Sequence, residues 1–155
     1  MTASDALATV TDVLMADHRR MDCLMKECAA AVADGEQAAA LVLFERFRAG
    51  LTRHIKIEEG ILFPEYEIAT GTSRSAGPTS VMRHEHEEIL AYLGSLNDLL
   101  SLTEFQKRDF DDSRNDLVSL LHEHNLKEEE ILYPACDHLI SKPRLRELLE
   151  TISRF

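Results

Sequence analysis

One line of sequence occurs twice in this chain. It reads HIKIEEGILFP at residues 54–64 and HNLKEEEILYP at residues 124–134, an offset of 70 residues. Each copy holds a histidine, a glutamate four residues later, a second glutamate, an Ile-Leu-aromatic run and a proline. Because residues four apart share one face of an α-helix, each copy predicts a helix that directs an imidazole and a carboxylate to the same side.

Helical spacing of apolar residues continues through the rest of the chain, and strand-like alternation is not sustained. The segments DHRRM at 17–21 and EHEEI at 85–89 are also alike, so the first predicted helix resembles the third as the second resembles the fourth. We therefore predict an all-α fold: an antiparallel four-helix bundle, up-down-up-down and internally duplicated, followed by a short C-terminal fifth helix.

Glycine, serine, threonine and proline mark the predicted helix boundaries. Gly35 is the predicted left-handed cap of the first helix, and the Gly/Ser/Pro-rich residues 70–80 form the longer central connection. A serine or threonine within 101–105 is expected to cap the fourth helix. Pro64 and Pro134 are expected to kink or end the second and fourth helices.

The length of 155 residues suits one domain. We place it at 1–155, with the bundle at about 4–134 and the C-terminal helix at about 141–155. The apolar face of that last helix is expected to cap the bundle, and both a monomer and a homodimer remain open.

Charge and cysteine usage narrow the function classes. The net charge of −11 argues against nucleic acid and against an anionic membrane surface as partners. Three cysteines form no C-x-x-C pair, and neither a signal-peptide pattern nor a membrane-spanning apolar run is evident. We therefore expect a cytoplasmic protein with free thiols.

Four of the seven histidines lie on apolar stripes, one on each predicted bundle helix. They are His18, His54, His86 and His124. Glu58 and Glu128, each four residues after a histidine, share two of these stripes. His84 and His122 point to the other side of their helices and are expected to face solvent, as is His138 beyond the fourth helix. The bundle interior should therefore receive four imidazoles and two carboxylates.

Bound metal explains why so many polar groups are directed into a core. Buried carboxylates without partners are strongly destabilising or become neutral, and imidazole with carboxylate suits iron, manganese or zinc. The duplication favours two ions, each held by two histidines, with Glu58, Glu128 and an oxo or hydroxo group as bridges. Leu90, four residues after His86, is expected on the same stripe. No protein ligand is therefore predicted for the sixth coordination position, and each ion keeps that position open.

Other acidic residues near the stripes are not predicted to bind the metal directly. Asp22, four residues after His18, is a candidate acceptor for an imidazole N–H. Glu59, Glu129 and Glu130 rotate off the stripes and are expected to be solvated, with a contact to the ligand residues left open.

These motifs resemble those of the haemerythrin-like (HHE cation-binding) family over about residues 10–134. The resemblance implies a four-helix bundle with a non-haem di-iron centre of Fe²⁺/Fe³⁺ ions, in which the four inward histidines are terminal ligands and the two glutamates are bridges. The ligand set is similar to that of the bacterial repair-of-iron-centres proteins. The invertebrate oxygen carriers differ, because they place a fifth histidine where this chain has Leu90 and a bridging aspartate on the fourth helix.

The resemblance implies a protein that interacts with O₂ or NO, in sensing or in the response to oxidative or nitrosative stress. The alternative is a di-iron enzyme that reduces NO or peroxide, or donates iron for iron–sulfur cluster repair, and the sequence does not decide between them. Iron storage of the ferritin type is disfavoured because no histidine has a glutamate three residues before it. The absence of H-E-x-x-H argues against zinc hydrolysis. The expected partners are a small diatomic ligand and a redox partner.

Overall fold

The computed structural model describes residues 8–155, and each element in that range is helical. The α-helices are α1 (Val10–Ala33), α2 (Gln37–Ile57), α3 (Phe63–Thr70), α4 (Pro78–Leu100), α5 (Lys107–Lys127), α6 (Tyr133–Leu139) and α7 (Lys142–Arg154). The first π turn (Glu58–Leu62) joins α2 to α3, and the second π turn (Glu128–Leu132) joins α5 to α6. The predicted all-α class is confirmed, whereas the predicted bundle start near residue 4 lies outside the described residues.

No helix within residues 8–155 is both long and apolar enough to cross a lipid bilayer.

The helix ends agree with prediction at one boundary and differ at another. Gly35 follows α1 with a φ of +75°, the left-handed conformation predicted for it. The predicted Ser/Thr cap of α5 is wrong, because the helix begins after Gln106, whose side chain makes no cap hydrogen bond. Ser101 instead closes α4, where its hydroxyl donates to the Asn97 carbonyl at 2.7 Å.

Neither proline ends its helical run. Pro64 and Pro134 are the second residues of α3 and α6, so each follows a π turn, where the hydrogen bonding of the helix backbone is already irregular. Helical structure continues past them to Thr70 and to Leu139. Of the expected kink or end at each proline, the end is wrong.

The π turns shift the apolar face by one residue. In each turn an N–H donates to the carbonyl five positions back rather than four, as from Phe63 to Glu58. Leu62 and Leu132 are consequently buried, whereas Ile131, which regular α-helical spacing predicts to be inside, is 62% exposed.

Two apolar clusters lie on opposite sides of the four inward histidines. In α1 and α4 the buried residues of the first cluster follow the histidine and those of the second precede it. Along α2 and α5 the buried residues of the first cluster precede the histidine, apart from Ile55, and those of the second cluster come after it in the chain. The first cluster contains Phe44 and Phe110, and the second contains Phe63 and Tyr133. The histidines thus form a polar layer between two parts of the core.

The C-terminal helix α7 packs on the second cluster. Leu148 and Ile152 are buried there, and Arg53 Nη2 donates to the Ile152 carbonyl at 3.1 Å. The apolar face of the C-terminal helix therefore packs against the core of its own chain.

Glu67 of α3 fixes the position of α4. Its carboxylate accepts hydrogen bonds from Thr79 Oγ1 at 2.7 Å and from Arg83 Nη1 and Nη2 at 2.7 and 3.1 Å. The hydrogen bonds from Arg83 outweigh burial and, with that from Thr79, hold the pKa of Glu67 below its usual value. The start of α4, the helix that carries His86, is therefore tied to α3 by an ion pair.

Two of the three cysteines should be unreactive in the folded protein. Burial raises the pKa of Cys28 to about 11 and that of Cys136 to about 12, whereas Cys23 is exposed. A thiol reagent at mildly alkaline pH is therefore expected to modify Cys23 alone in the native protein and all three cysteines after denaturation. Rapid modification of the native protein that persists in Cys23→Ser would contradict this expectation.

Candidate metal centre

The structure brings the six inward residues into one buried cluster. None of them is more than 3% exposed. They are His18 of α1, His54 of α2, His86 of α4, His124 of α5, and the glutamates Glu58 and Glu128, which begin the two π turns. Four helices and both copies of the repeated motif therefore meet at one place in the core.

The imidazoles form two pairs. The first pair is His18 and His54, with ring centroids 4.8 Å apart and Nε2 atoms 3.1 Å apart. The second pair is His86 and His124, with ring centroids 4.9 Å apart. Each half of the duplicated sequence thus supplies one complete pair.

Each inner glutamate lies between the two pairs, because its carboxylate contacts one imidazole of each. The contacts join Oε1 of a glutamate to Nε2 of a histidine, at 3.0 Å for Glu58–His54, 3.6 Å for Glu58–His86, 3.3 Å for Glu128–His18 and 3.2 Å for Glu128–His124. Carboxylates so placed are arranged to bridge two cations, one beside each pair.

Other carboxylates lie on the outer side of the histidine rings. Asp17 Oδ2 is 3.2 Å from Nδ1 of His54, and Glu85 Oε1 is 3.4 Å from Nδ1 of His124. Each acid comes directly before the inward histidine of its own helix. It contacts the inward histidine of the next long helix instead. Lys127 Nζ, 2.6 Å from Glu85 Oε2, holds one of these carboxylates in place.

The remaining two rings are held by residues of the π turns. Glu129 Oε1 is 2.9 Å from Nδ1 of His18, and Glu59 Oε1 is 2.8 Å from Nδ1 of His86. Both side chains remain partly exposed, at 35% for Glu59 and 22% for Glu129, so the expected solvation holds in part. The contact with the ligand residues that was left open is present, since each side chain reaches a histidine beside the other copy of the repeated motif. Asp22, predicted for such a contact, is exposed instead.

These outer contacts favour a proton on the outer nitrogen of each ring. An ionised carboxylate only accepts hydrogen bonds, so an Nδ1–H of each ring can donate to it, and a cation at the centre would meet the Nε2 atoms. The Nε2 atoms of His18 and His54 are 3.1 Å apart, a separation that a shared proton or a metal ion between them accounts for.

The centre also leaves buried polar atoms without hydrogen-bond partners. Within the described range these are Glu58 Oε1, His86 Nε2 and Glu128 Oε2, besides Nε of two arginines. Such an atom destabilises a fold by roughly 1–3 kcal/mol. Two overlapping groups of donor atoms each lie within 4.8 Å: Glu58, His86, His124 and Glu128, and His18, His54 and Glu128. The cluster therefore fits a metal site, and its nitrogen and oxygen donors suit iron, manganese or zinc.

Electrostatic coupling within the cluster is strong. Burial by itself raises the pKa of Glu58, but the charge of His54 and a hydrogen bond with Glu128 outweigh burial and hold that pKa well below its usual range. Burial likewise lowers the pKa values of His54 and His124, yet their contacts with the inner glutamates raise both above the usual value. Glu58 is therefore ionised and available to a cation.

Tyr133 is part of the centre, although helical periodicity does not predict it. Its buried hydroxyl oxygen is 3.1 Å from carboxylate oxygens of Glu58 and Glu128 and 3.2 Å from Nε2 of His18 and His54. Burial, and then the charges of the two glutamates, raise the pKa of this hydroxyl well above its usual value. The second π turn brings Tyr133 inward. The sequence signal available for it was the difference between the two copies of the motif, which have tyrosine at 133 and phenylalanine at 63.

The other predictions near the centre are correct for three histidines and wrong for one leucine. His84, His122 and His138 are exposed, as expected. Leu90 was expected on the inward stripe of α4 but is 43% exposed, so that prediction is wrong. Met82, one turn before the inward histidine of α4, is buried instead.

Comparison with known protein families matches residues 9–136 to the family described as Hemerythrin HHE cation binding domain. The matched range contains the six inward residues, both π turns and Tyr133. No curated protein and no solved structure gives a significant match to the chain. Because the family match covers most of the sequence and the whole cluster, the chain belongs to the haemerythrin HHE cation-binding family.

Proposed function

We propose that this centre holds two iron ions and that the bound iron reacts with O₂ or NO, in sensing or in the response to oxidative or nitrosative stress. The first pair would hold one ion and the second pair the other, with Glu58 and Glu128 as bridges. The observation that carries the proposal is the contact of each inner glutamate with one imidazole of both pairs. Non-haem iron supplies one-electron and O₂ chemistry.

Two ions suit this donor set better than one. Four imidazoles and two carboxylates would fill an octahedral ion and leave no position for a ligand. Two histidines with a carboxylate, by contrast, commonly hold non-haem iron and leave positions open. The two pairs, each contacting both inner glutamates, support a division into two such sets, with an oxo or hydroxo group from solvent as a further bridge.

We also propose a single domain over 1–155, in which the long helices form an antiparallel, up-down-up-down bundle that arose by duplication. Contacts between helix ends support this arrangement. Cys28 Sγ, late in α1, donates to the Ala40 carbonyl early in α2 at 3.4 Å. Gln37 Nε2, at the start of α2, donates to the Leu100 carbonyl at the end of α4 at 2.8 Å. The outer carboxylates support duplication, because each acid in one half has a counterpart in the other.

A cavity of about 470 Å³ between α1 and α5 supports access of small molecules to the cluster, because it reaches the outer side of the first pair at His18 and Glu129, and Glu128 links that pair to the second. Its lining combines apolar side chains, such as Met25 and Phe47, with basic and acidic ones. Such a lining admits small neutral molecules such as O₂ and NO.

The test is the metal content and reactivity of protein purified from an iron-replete host. We expect about two irons per chain, because six donors arranged in two bridged sets serve two ions. The spectrum of the anaerobically reduced protein should change on addition of NO. A single tightly held zinc ion, despite ample iron, would overturn the proposal.

The response to O₂ separates this protein from an oxygen carrier. We expect O₂ to be reduced, and a reduced-state spectrum that returns under vacuum over many cycles would indicate a carrier. Steady-state consumption of NO or peroxide with an electron donor would indicate an enzyme served by a redox partner. For the sensing or stress role we propose a cytoplasmic location, in keeping with three cysteines that form no disulfide.

A further inference from the structure

The two halves of the centre differ by one oxygen atom. In the second copy of the repeated motif, the hydroxyl of Tyr133 lies within the cluster. In the first copy the same position is Phe63, whose ring stacks on His86 with 5.8 Å between centroids and 7° between planes. The first pair therefore has an extra oxygen beside it, whereas the second pair has an apolar ring.

The Tyr133 oxygen is spaced as a ligand of the same ion as the first pair. It is 3.2 Å from Nε2 of His18 and 3.2 Å from Nε2 of His54, and these two nitrogens are 3.1 Å apart. Neighbouring ligands of an octahedral ion, each at about 2.1 Å from it, lie about 3.0 Å from one another. The three atoms thus already have the separations that ligands of one ion require.

The hydroxyl also has no packing role that phenylalanine could not fill. Phe63 occupies the matching position with the same burial, and both rings belong to the second apolar cluster. The Tyr133 hydroxyl instead lies 3.1 Å from an oxygen of Glu58 and 3.1 Å from an oxygen of Glu128. When cations take up the charge of these carboxylates, the phenolic oxygen faces positive charge rather than negative charge.

We propose that Tyr133 is a seventh protein ligand, whose phenolic oxygen binds the ion held by the first pair. An O–metal bond replaces the O–H bond, the proton passes to solvent, and no electron moves. The ion held by the second pair, beside Phe63, then alone keeps an open position for an external ligand. This inference rests on the proposed di-iron function.

Spectroscopy of the oxidised, iron-loaded protein tests the bond itself. We expect a visible phenolate-to-iron charge-transfer band and phenolate vibrations in the resonance Raman spectrum. Tyr133→Phe should lose both signals while it keeps about two irons per chain, since the six inward ligands remain. Tyr92→Phe is the matched control, because Tyr92 is a partly buried tyrosine in the first apolar cluster. It should keep both signals.

Azide titration tests which ion is open. We expect about one azide per chain in the wild type, about two in Tyr133→Phe and none in Phe63→Tyr, because each phenolic oxygen closes one position of an octahedral ion. Phe63→Tyr keeps the test decisive if Tyr133→Phe fails to fold.

The outcomes separate this inference from the proposed function. Wild-type protein with two irons but no phenolate signal would overturn the role of Tyr133 and leave the di-iron function standing. Wild-type protein that takes up no iron would overturn both. An unchanged azide count in folded, iron-loaded Phe63→Tyr would contradict the assignment of the open position to the second pair.

Discussion

Replacing Glu58 or Glu128 by alanine is expected to remove both metal ions together rather than one of the two. Each carboxylate contacts an imidazole of both pairs, so its loss deprives both proposed ions of a ligand. Loss of even an outer contact commonly lowers metal affinity about 10–100-fold, and loss of a bridge should lower it at least that much. Elemental analysis of protein loaded with iron under identical conditions measures the effect.

Glu128→Ala has a matched control on the same π turn, and His86→Ala has one on α4. Glu130 lies in the second π turn with Glu128 but is exposed, and His84 lies two residues before His86 with a side chain that is 72% exposed. Glu130→Ala and His84→Ala should therefore keep their metal. Retention of one ion in Glu58→Ala would show that Glu58 is not a bridge. A metal-free His84→Ala beside a loaded His86→Ala would show that the wrong face of α4 was assigned to the ligands.

Removal of the metal is expected to lower the melting temperature by roughly 10 °C. Ions present at 1,000 times their Kd stabilise the folded state by about 4 kcal/mol, and in a chain of this size 1 kcal/mol corresponds to about 2–4 °C. Without ions, Glu58 Oε1, His86 Nε2 and Glu128 Oε2 are buried and make no hydrogen bond to any residue of the described range. Calorimetry of chelated protein, before and after ferrous iron is restored anaerobically, measures the change.

A variant that cannot bind metal separates this effect from non-specific action of iron. Glu128→Ala should melt at the same temperature with and without added iron. Identical melting curves for chelated and iron-loaded wild type would argue that the six inward residues do not act together on a metal.

The regular parts of the helices explain which predictions succeeded. His18, His54, His86 and His124 were assigned to the interior from a rotation of about 100° per residue, and all four are buried, because this rotation holds along α1, α2, α4 and α5. The same rule correctly placed His84 and His122 outside. Whether the six residues bind metal remains a prediction.

The rule fails where the helix geometry changes. After each π turn the register moves by one residue, so Ile131 turns outward while Leu132 and Tyr133 turn inward. The sequence does not mark the π turns, because apart from Gly60 their residues are ordinary helix formers. The two copies differ at this position, with phenylalanine at 63 and tyrosine at 133, but the structure was needed to show that the position reaches the site.

Contacts between helices explain where the acidic residues near the site lie. Asp17 points about 100° away from His18 on its own helix, yet it is buried because it reaches His54 on α2. Glu59 is only partly exposed because its carboxylate reaches His86 on α4. A single helix gives no information about which neighbour its flanking side chains meet, and the spacing that favoured Asp22 therefore selected the wrong acid.

The outer carboxylates also bear on the reduction potential of the iron proposed for this centre. Asp17, Glu59, Glu85 and Glu129 lie where they can accept an Nδ1 proton from each of the four rings, and such a hydrogen bond makes Nε2 a stronger electron donor. With the inner glutamates they surround the centre with negative charge, which nearby cations such as Lys127 balance only in part. Negative charge favours ferric over ferrous iron. The iron-loaded protein should therefore rest in its oxidised form, and a strongly reducing partner would be needed before the proposed reaction with O₂ or NO.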